Sequence, residues 1–491
     1  MDGHEPERLI RSVIAPPLRD KIDSSESAAP GDGARAEPEP VVIELNPSYV
    51  EGVAAARERV LDLLGELHAT TAGPGPLEAR PLSTNSSYLA ARMTAEEIRE
   101  LARRDREAAA GDRTHRAVLR IWPDFPVRPL IDASVATVKA DAARLCFGAG
   151  GKNVVWAVLD SGIDGGHPHF RAHGNLTPPS PLQHMDFTDG KSPLTDAAGH
   201  GTHVAGIIAG ELESSAVAPI VGASKECDER GDVSWQTRPL TKVAGMAPQA
   251  SLLSYKVLDD EGAGNTSTII TALEHIAEVN DHGRNLLIHG VNLSVGYPFD
   301  PEWFACGASP LCVVVDRLVR SGVVVVVAAG NTGYGWNQDY FKPEGVAAGL
   351  DMTINDPGNA RLAVTVGSTH RDMPHRYGVS YFSSKGPTGD GRAKPDLVAP
   401  GERILSCAAG RTAADAQAKC GPIHYVEDSG TSMAAPHVSG CIASLLSIRR
   451  EYLGRPEDVK EVFLRSATDL GRVPAFQGSG LVDLMRAIQS V

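Results

Sequence analysis

Three observations predict an α/β fold with a mostly parallel sheet flanked by helices, preceded by a small α+β domain. Two uninterrupted apolar runs, Val154–Leu159 and Val323–Ala329, read as strands buried on both faces, the mark of a parallel sheet. Two segments rich in small residues, GHGTHVAG at Gly199–Gly206 and SGTSMAAPHVSG at Ser429–Gly440, lead into apolar residues at helical spacing. Ahead of these, residues 41–125 alternate strand and helix signals on a shorter scale.

In chain order, residues 1–40 are rich in Pro, Glu, Asp, Arg and Ala and lack an apolar core, so a disordered tail is expected. VVIEL then reads as a strand. Ser48 and Glu51 form a capping-box pattern ahead of Val53, Ala56, Val60, Leu64 and Leu67 at helical spacing. After a Gly/Pro-rich stretch, YLAARM (Tyr88–Met93) reads as a strand. Thr94 and Glu97 cap a second helix, and AVLRIW (Ala117–Trp122) reads as a strand. Residues 126–491 form the large α/β domain. Asp160 falls at the carboxyl end of the first apolar run, where open α/β sheets place their sites, and Gly330-Asn331 ends the second. His200 and Ser432 stand at helix starts, and Pro436 is expected in the first helical turn, where its missing N–H does no harm.

Asp160, His200, Asn331 and Ser432 are the residue types that acyl transfer needs. A Ser hydroxyl becomes a nucleophile when an imidazole takes its proton, and a carboxylate fixes the tautomer of that imidazole. An amide N–H aimed at the developing oxyanion completes the set. A lone Asp after a strand is ordinarily a turn or cap residue, and a lone Gly-Asn a turn; here the four occur together. His203 and His437, inside the same motifs, read as packing or hydrogen-bonding residues.

The chain order Asp, His, Ser is that of subtilisin rather than of nucleophile-elbow or chymotrypsin-like hydrolases. Gly430-Thr-Ser432-Met-Ala434 also lacks the second Gly of the elbow. With these motifs, residues from about 130 to 490 resemble the subtilisin-like serine proteases. The resemblance implies Asp160 as orienting acid, His200 as general base and acid, and Ser432 as nucleophile. Asn331 and the Ser432 N–H are implied as oxyanion donors. VNLSVGYP (Val291–Pro298) resembles the substrate-pairing edge, with Ser294, Val295 and Gly296 hydrogen-bonding an extended peptide. YKVLDDEGAG (Tyr255–Gly264) resembles the opposing segment, where Gly262 and Gly264 admit a substrate backbone. Thr353–Ser368 resembles the segment closing the pocket for the residue before the scissile bond, with Asn355 or Asp356 at its base. An Asp there favours Lys or Arg; the alternative is a turn residue capping Pro357-Gly358. KPDLVAPG (Lys394–Gly401) resembles a scaffold segment. The domain at residues 41–125 resembles the family's inhibitory and folding-assisting propeptide, with autoprocessing expected within Phe125–Ala133; the alternative is a permanently attached interaction domain.

One departure bears on cofactors. Between Gly210 and Ala244 the chain carries a long insertion whose acids are Glu211, Glu213, Glu226, Asp228, Glu229 and Asp232. Calcium takes six to eight oxygens in one place. Scattered acids form no recognisable site, so a structural calcium is left open without support, no cofactor is expected to be required, and the chemistry needs no metal. A net charge of −14 argues against nucleic acid and anionic membranes as partners. The expected partners are a peptide or protein substrate and the N-terminal domain itself as an intramolecular inhibitor. No run approaches the roughly 18 apolar residues of a membrane helix. No secretory signal is apparent either, so a cytoplasmic location is expected. Seven Cys cannot all pair; free thiols are expected, although Cys306 and Cys312 bracket a loop that an oxidising environment would let close. Two other functions use the same features. One is peptide ligation or macrocyclisation, which needs a cap from Glu211–Val243 or Tyr297–Leu311. The other is peptide binding without turnover.

Overall fold

The computed structural model describes residues 38–71, 79–81, 86–109, 111–123, 133–188, 192–215, 218–227, 233–299, 305–339 and 342–491, together with Val13, Ile14, Leu18 and Ile22. The expected disordered tail therefore lies almost wholly outside the described residues, as does the expected processing segment except Ala133. The chain divides into two compact units, Met1–Pro129 and Leu130–Val491.

The first unit holds strand β1 (Glu39–Leu45), helix α1 (Gly52–Thr71), β2 (Ala79–Pro81), β3 (Tyr88–Met93), α2 (Ala95–Ala108) and β4 (Val118–Pro123). The strands form an antiparallel sheet in the order β2-β3-β1-β4. Val41, Ile43 and Leu45 alternate into a core with Val60, Leu64 and Leu67 of α1 and Ile98 and Leu101 of α2. Thr94 and Glu97 make the full capping box of α2: the Thr94 hydroxyl accepts from the Glu97 N–H, and the Glu97 carboxylate accepts from the Thr94 N–H. The Ser48–Glu51 box expected for α1 does not form. The Ser48 N–H donates to Asn46 Oδ1 in a turn, and the helix starts later, at Gly52.

The second unit begins its sheet with β5 (Val155–Asp160) and β6 (Met185–Asp186), followed by helix α3 (His200–Ile208). A hairpin, β7 (Ile220–Cys227) and β8 (Val233–Leu240), precedes β9 (Ser251–Lys256) and α4 (Thr266–Val279). Next come β10 (Gly290–Leu293), α5 (Pro310–Arg320), β11 (Val324–Ala328) and a second hairpin, β12 (Tyr334–Asp339) and β13 (Lys342–Gly349). The chain continues through β14 (Val364–His370), β15 (Leu397–Glu402), β16 (Ile404–Cys407), α6 (Gly410–Cys420), β17 (Tyr425–Asp428) and α7 (Thr431–Ile448).

Seven strands form the central sheet, in the order β15-β14-β11-β10-β5-β9-β6, and every pairing is parallel. Strand periodicity divides each apolar run between two cores. Trp156 and Val158 face one side with Val324 and Val326, packed on α3 and α7. Val155, Ala157 and Leu159 face the other with Val325 and Val327, packed on α4 and α5. Gly290 is required by this packing, because a Cβ there would meet the Trp156 ring at 2.3 Å. The described parts of the long insertion form regular structure. Its β7–β8 hairpin extends a four-stranded sheet in the order β16-β17-β7-β8.

Candidate active site

The sheet and two helices bring the sequence-predicted residues to one cleft of about 900 Å³. Its lining includes His200, Ser432, Asn331, Ser294, Val295, Gly296, Gly262, Gly264 and Asn355. Asp160 is the last residue of β5 and fully buried behind His200. Its Oδ1 accepts from His200 Nδ1 at 2.7 Å and from the Ser161 N–H at 2.8 Å. That bond makes Nδ1 the protonated nitrogen and leaves Nε2 as the basic one. The imidazole remains 30 % exposed. Burial pushes its pKa down, but the Asp160 carboxylate, helped by Asp428 and Asp196, lifts it overall to about 9.

Sequence reasoning missed Asp196, which aims the helix bearing His200. Its carboxylate accepts from the Gly199 and Thr202 N–H groups at 2.8 Å each and from Thr202 Oγ1 at 2.6 Å. These satisfy orphan donors at the start of α3. Ser161 Oγ donates to the same carboxylate at 2.8 Å, linking it to the residue after Asp160. The available signal was an acid four residues ahead of the His at a helix start. Lys256, buried on β9, donates to the Ser161 carbonyl at 2.6 Å and completes the support.

Ser432 is the second residue of α7. Its Oγ donates to the Ser294 carbonyl at 3.0 Å rather than to His200. Pro436 is not in the first turn as expected; it is the sixth residue of the helix. Because proline has no N–H, the Ser432 carbonyl loses its intrahelical donor four residues on. Ser294 Oγ fills that place at 2.8 Å, and Asn292 Nδ2 in turn donates to Ser294 Oγ at 2.9 Å. The proline thus ties the helix start to the strand edge through a side chain.

Asn331 follows β11 by way of Gly330, whose φ of +108° and close approach to the Asn355 side chain exclude a Cβ. The Thr431 N–H and Oγ1 donate to Asn331 Oδ1 at 2.9 and 3.0 Å. They orient the amide so that its NH2 is left to the cleft. His203 and His437 are buried and bonded to the carbonyls of Val426 and Met433, at 3.0 and 2.8 Å. Burial holds both pKa values down, His437 at about 4.

Among the substrate-contact positions, Asp356 is a correction: it does not line the cleft. Its side chain is buried and accepts from Asn359 Nδ2 at 2.8 Å, while its backbone pairs with Tyr297. A buried carboxylate already hydrogen-bonded is no base for a Lys or Arg pocket. Asn355 does reach the cleft, where its Oδ1 accepts from Thr332 Oγ1 at 3.1 Å. Gly262, with φ +80°, favours glycine through its backbone, while a Cβ there would make only ordinary contacts with Ala198 and Arg411, at 3.7 and 3.9 Å. Gly264 and Gly296 are instead required by internal packing, against Leu258 and the Asp356 carbonyl at 2.6 Å each. Arg411, Thr412 and Asp415 of α6 add an unforeseen wall, pinned by Arg411 Nη2 donating to the Glu261 carbonyl at 2.7 Å.

The described parts of the long insertion contribute nothing to the cleft lining, and Tyr297 alone does so from the second candidate cap. Glu211 pairs with His173 and Lys242 at 3.0 and 3.1 Å. Asp228, Glu229 and Asp232 lie outside the described residues. Among the described residues no group of three or more His, Cys, Asp or Glu is placed to hold a metal. The described cysteines Cys306 and Cys312 are unpaired. No described helix is long and apolar enough to cross a membrane.

The sequence model of the subtilase family (peptidase S8) matches residues 151–480. The chain is 29 % identical to serine protease AprX of Bacillus subtilis over 384 residues, covering 76 % of this chain and 74 % of that protein. It is 31 % identical to subtilisin E of the same species over 356 residues, covering 72 % and 70 %. It is also 31 % identical to the major intracellular serine protease of B. subtilis over 346 residues, covering 69 % and 83 %. The chain therefore belongs to the subtilase family and is a subtilisin-like serine endopeptidase.

Proposed function

We propose that the protein hydrolyses peptide bonds through an Asp160-His200-Ser432 triad and an acyl-enzyme. The observation that carries this reading is the 2.7 Å bond from His200 Nδ1 to buried Asp160, with His200, Ser432 and Asn331 lining one cleft. A substrate lies along Ser294–Gly296 as an added strand, and its backbone N–H takes the Ser294 carbonyl that now holds Ser432 Oγ. The displaced hydroxyl turns to His200 Nε2, which accepts its proton as Oγ attacks the scissile carbonyl. Asn331 Nδ2 and the Ser432 N–H, an orphan donor at the start of α7, stabilise the oxyanion. The imidazolium returns the proton to the leaving amine. Water activated by His200 then releases the acyl group.

The N-terminal unit acts as a self-inhibiting propeptide; its support is a separate four-stranded α+β unit preceding the segment matched by the family. No metal is required, so a chelator leaves turnover unchanged. An intracellular location is favoured by the likeness to a relative described as intracellular.

The test is the intact mass of wild type and Ser432→Ala, with and without a fluorophosphonate. Labelling and shortening near Phe125–Ala133 in wild type alone support the triad and the propeptide together. Labelling of full-length wild type keeps the triad and removes self-processing. Absence of labelling, also in a truncation starting near Leu130, overturns the peptidase mechanism in favour of a binding scaffold. Product mass separates hydrolysis from ligation by one water.

A further inference from the structure

The β12–β13 hairpin grows directly from the cleft wall. Its first strand starts two residues after Thr332, and its second ends six residues before Asn355; both of these residues line the cleft. Its base is fixed. The Gly333 N–H donates to the Phe382 carbonyl at 2.9 Å, and the Gly333 carbonyl accepts from Leu350 N at 2.9 Å and Lys385 Nζ at 2.8 Å. A Cβ on Gly333 would lie 1.9 Å from the Ser383 carbonyl, so this root tolerates only glycine.

One face of the hairpin is an uncovered aromatic ledge. Tyr334 and Trp336, two residues apart on β12, point to the same side. Their cross-strand partners are Gly349 and Ala347, too small to shield a ring. Trp336 is 73 % exposed, Tyr334 49 % and Tyr381 67 %. Tyr381 packs edge-on to Tyr334 with ring centroids 5.7 Å apart. Single exposed apolar residues are ordinary, but three aromatic rings grouped at a hairpin rooted in the cleft wall mark a contact surface.

We propose that this ledge is a substrate exosite, binding an extended apolar segment of the protein substrate outside the residues held at the scissile bond. The inference rests on the peptidase reading of the cleft. Continuity selects the occupant: Trp336 lies four residues, at most about 13 Å of strand, beyond Thr332, a span that about four further substrate residues cover. The net charge of −14 disfavours an anionic membrane surface as the alternative.

The test compares wild type with Trp336→Ala and Tyr334→Ala/Trp336→Ala on a fluorogenic tetrapeptide. The same peptide is also supplied with six added residues on either side, apolar in one set and Gly/Ser in the other. The apolar extension on one side should lower KM in wild type, and the variants should lose about tenfold in kcat/KM on that substrate alone. Equal losses on short and extended peptides, or an extension effect that survives in both variants, overturn the exosite. In the Ser432→Ala background, fluorescence anisotropy of the labelled extended peptide gives a reading independent of turnover. Binding weakened by Trp336→Ala supports the ledge as the surface that holds the extended peptide, separately from whether the cleft cleaves it; binding unchanged overturns the exosite. Light scattering that shows a dimer lost in Trp336→Ala, or sedimentation with phosphatidylcholine vesicles lost in that variant, assigns the ledge to a second copy or a membrane and overturns it equally.

Discussion

Asp160→Asn should move the titration of His200 and the catalytic rate together. In the folded protein the imidazole is lifted from an ordinary 6.5 to about 9, with Asp160 the main upward influence against burial. That net lift corresponds to about 3 kcal/mol of stabilisation of the imidazolium. The reactive base is the neutral ring, so the acid limb of the pH profile should lie above 6.5 in wild type, toward 9. Asn keeps the shape and removes the charge; burial still acts, and the limb should fall toward or below 6.5. The plateau should drop about 10⁴-fold, because an amide no longer fixes the tautomer with Nε2 as base. The assay is the second-order rate of fluorophosphonate labelling of the free protein from pH 5 to 10, which reads acylation without product release. Stability follows with a definite sign. A raised folded-state pKa contributes stability that is fully present below the unfolded value near 6.5 and is lost as pH rises through about 9. Asp160→Asn should flatten that dependence in urea titrations. A wild-type limb at or below 6.5, or an Asn variant with an unmoved limb, refutes the electrostatic account.

Other perturbations follow from single contacts. Asn331→Ala should lower kcat about 10²–10³-fold with KM nearly unchanged, in steady-state kinetics on a short peptide, because its Nδ2 is the proposed oxyanion donor; the loss of Oδ1, which holds Thr431, adds to the fall in kcat. Asp196→Ala leaves three donors at the start of α3 and the Ser161 hydroxyl without their acceptor and should lower stability by about 1–3 kcal/mol in denaturant titration, with kcat falling as His200 loses its aim. Ser294→Ala leaves the Ser432 carbonyl without a donor and should destabilise by about 1–3 kcal/mol; adding Pro436→Ala restores an N–H, so a double-mutant cycle should show that the penalty shrinks. Gly290→Ala drives a methyl into the Trp156 ring and should cost about 1–3 kcal/mol, read as a lowered midpoint with unchanged slope.

The fold was legible wherever one physical signal decided it. Short β-branched apolar runs that end at a turn signal favour strands covered on both sides, so the parallel sheet, and Asp160 and Asn331 at or just past strand ends, were legible in the order of residues. The Thr94–Glu97 cap was readable because both of its hydrogen bonds are local. Ser48–Glu51 has the same letters, yet Asn46 claims the Ser48 N–H from two residues upstream, and a spacing rule does not register that competition. The sheet built by the insertion after Gly210 was hidden for a related reason. Its acids were visible, whereas the pairing of Tyr425 and Val426 with Gly222 and Ala223, which turns it into sheet, joins positions about two hundred residues apart.

The same division runs through the site. Asp160, His200, Asn331 and Ser432 could be read because acyl transfer restricts their chemical types. Asp196 and Ser294 are equally specific in what they do, but their roles are set by vacancies elsewhere: unfilled donors at the start of α3, and a carbonyl that Pro436 leaves open. A proline six residues into a helix looks tolerable or damaging from sequence according to where the helix is taken to begin. Begun at Thr431, the helix makes Pro436 the cause of the Ser294–Ser432 tie, and so of the contact that holds the proposed nucleophile's segment against the proposed substrate-pairing edge. What the sequence concealed was therefore less the reacting groups than the unmet hydrogen bonds that position them.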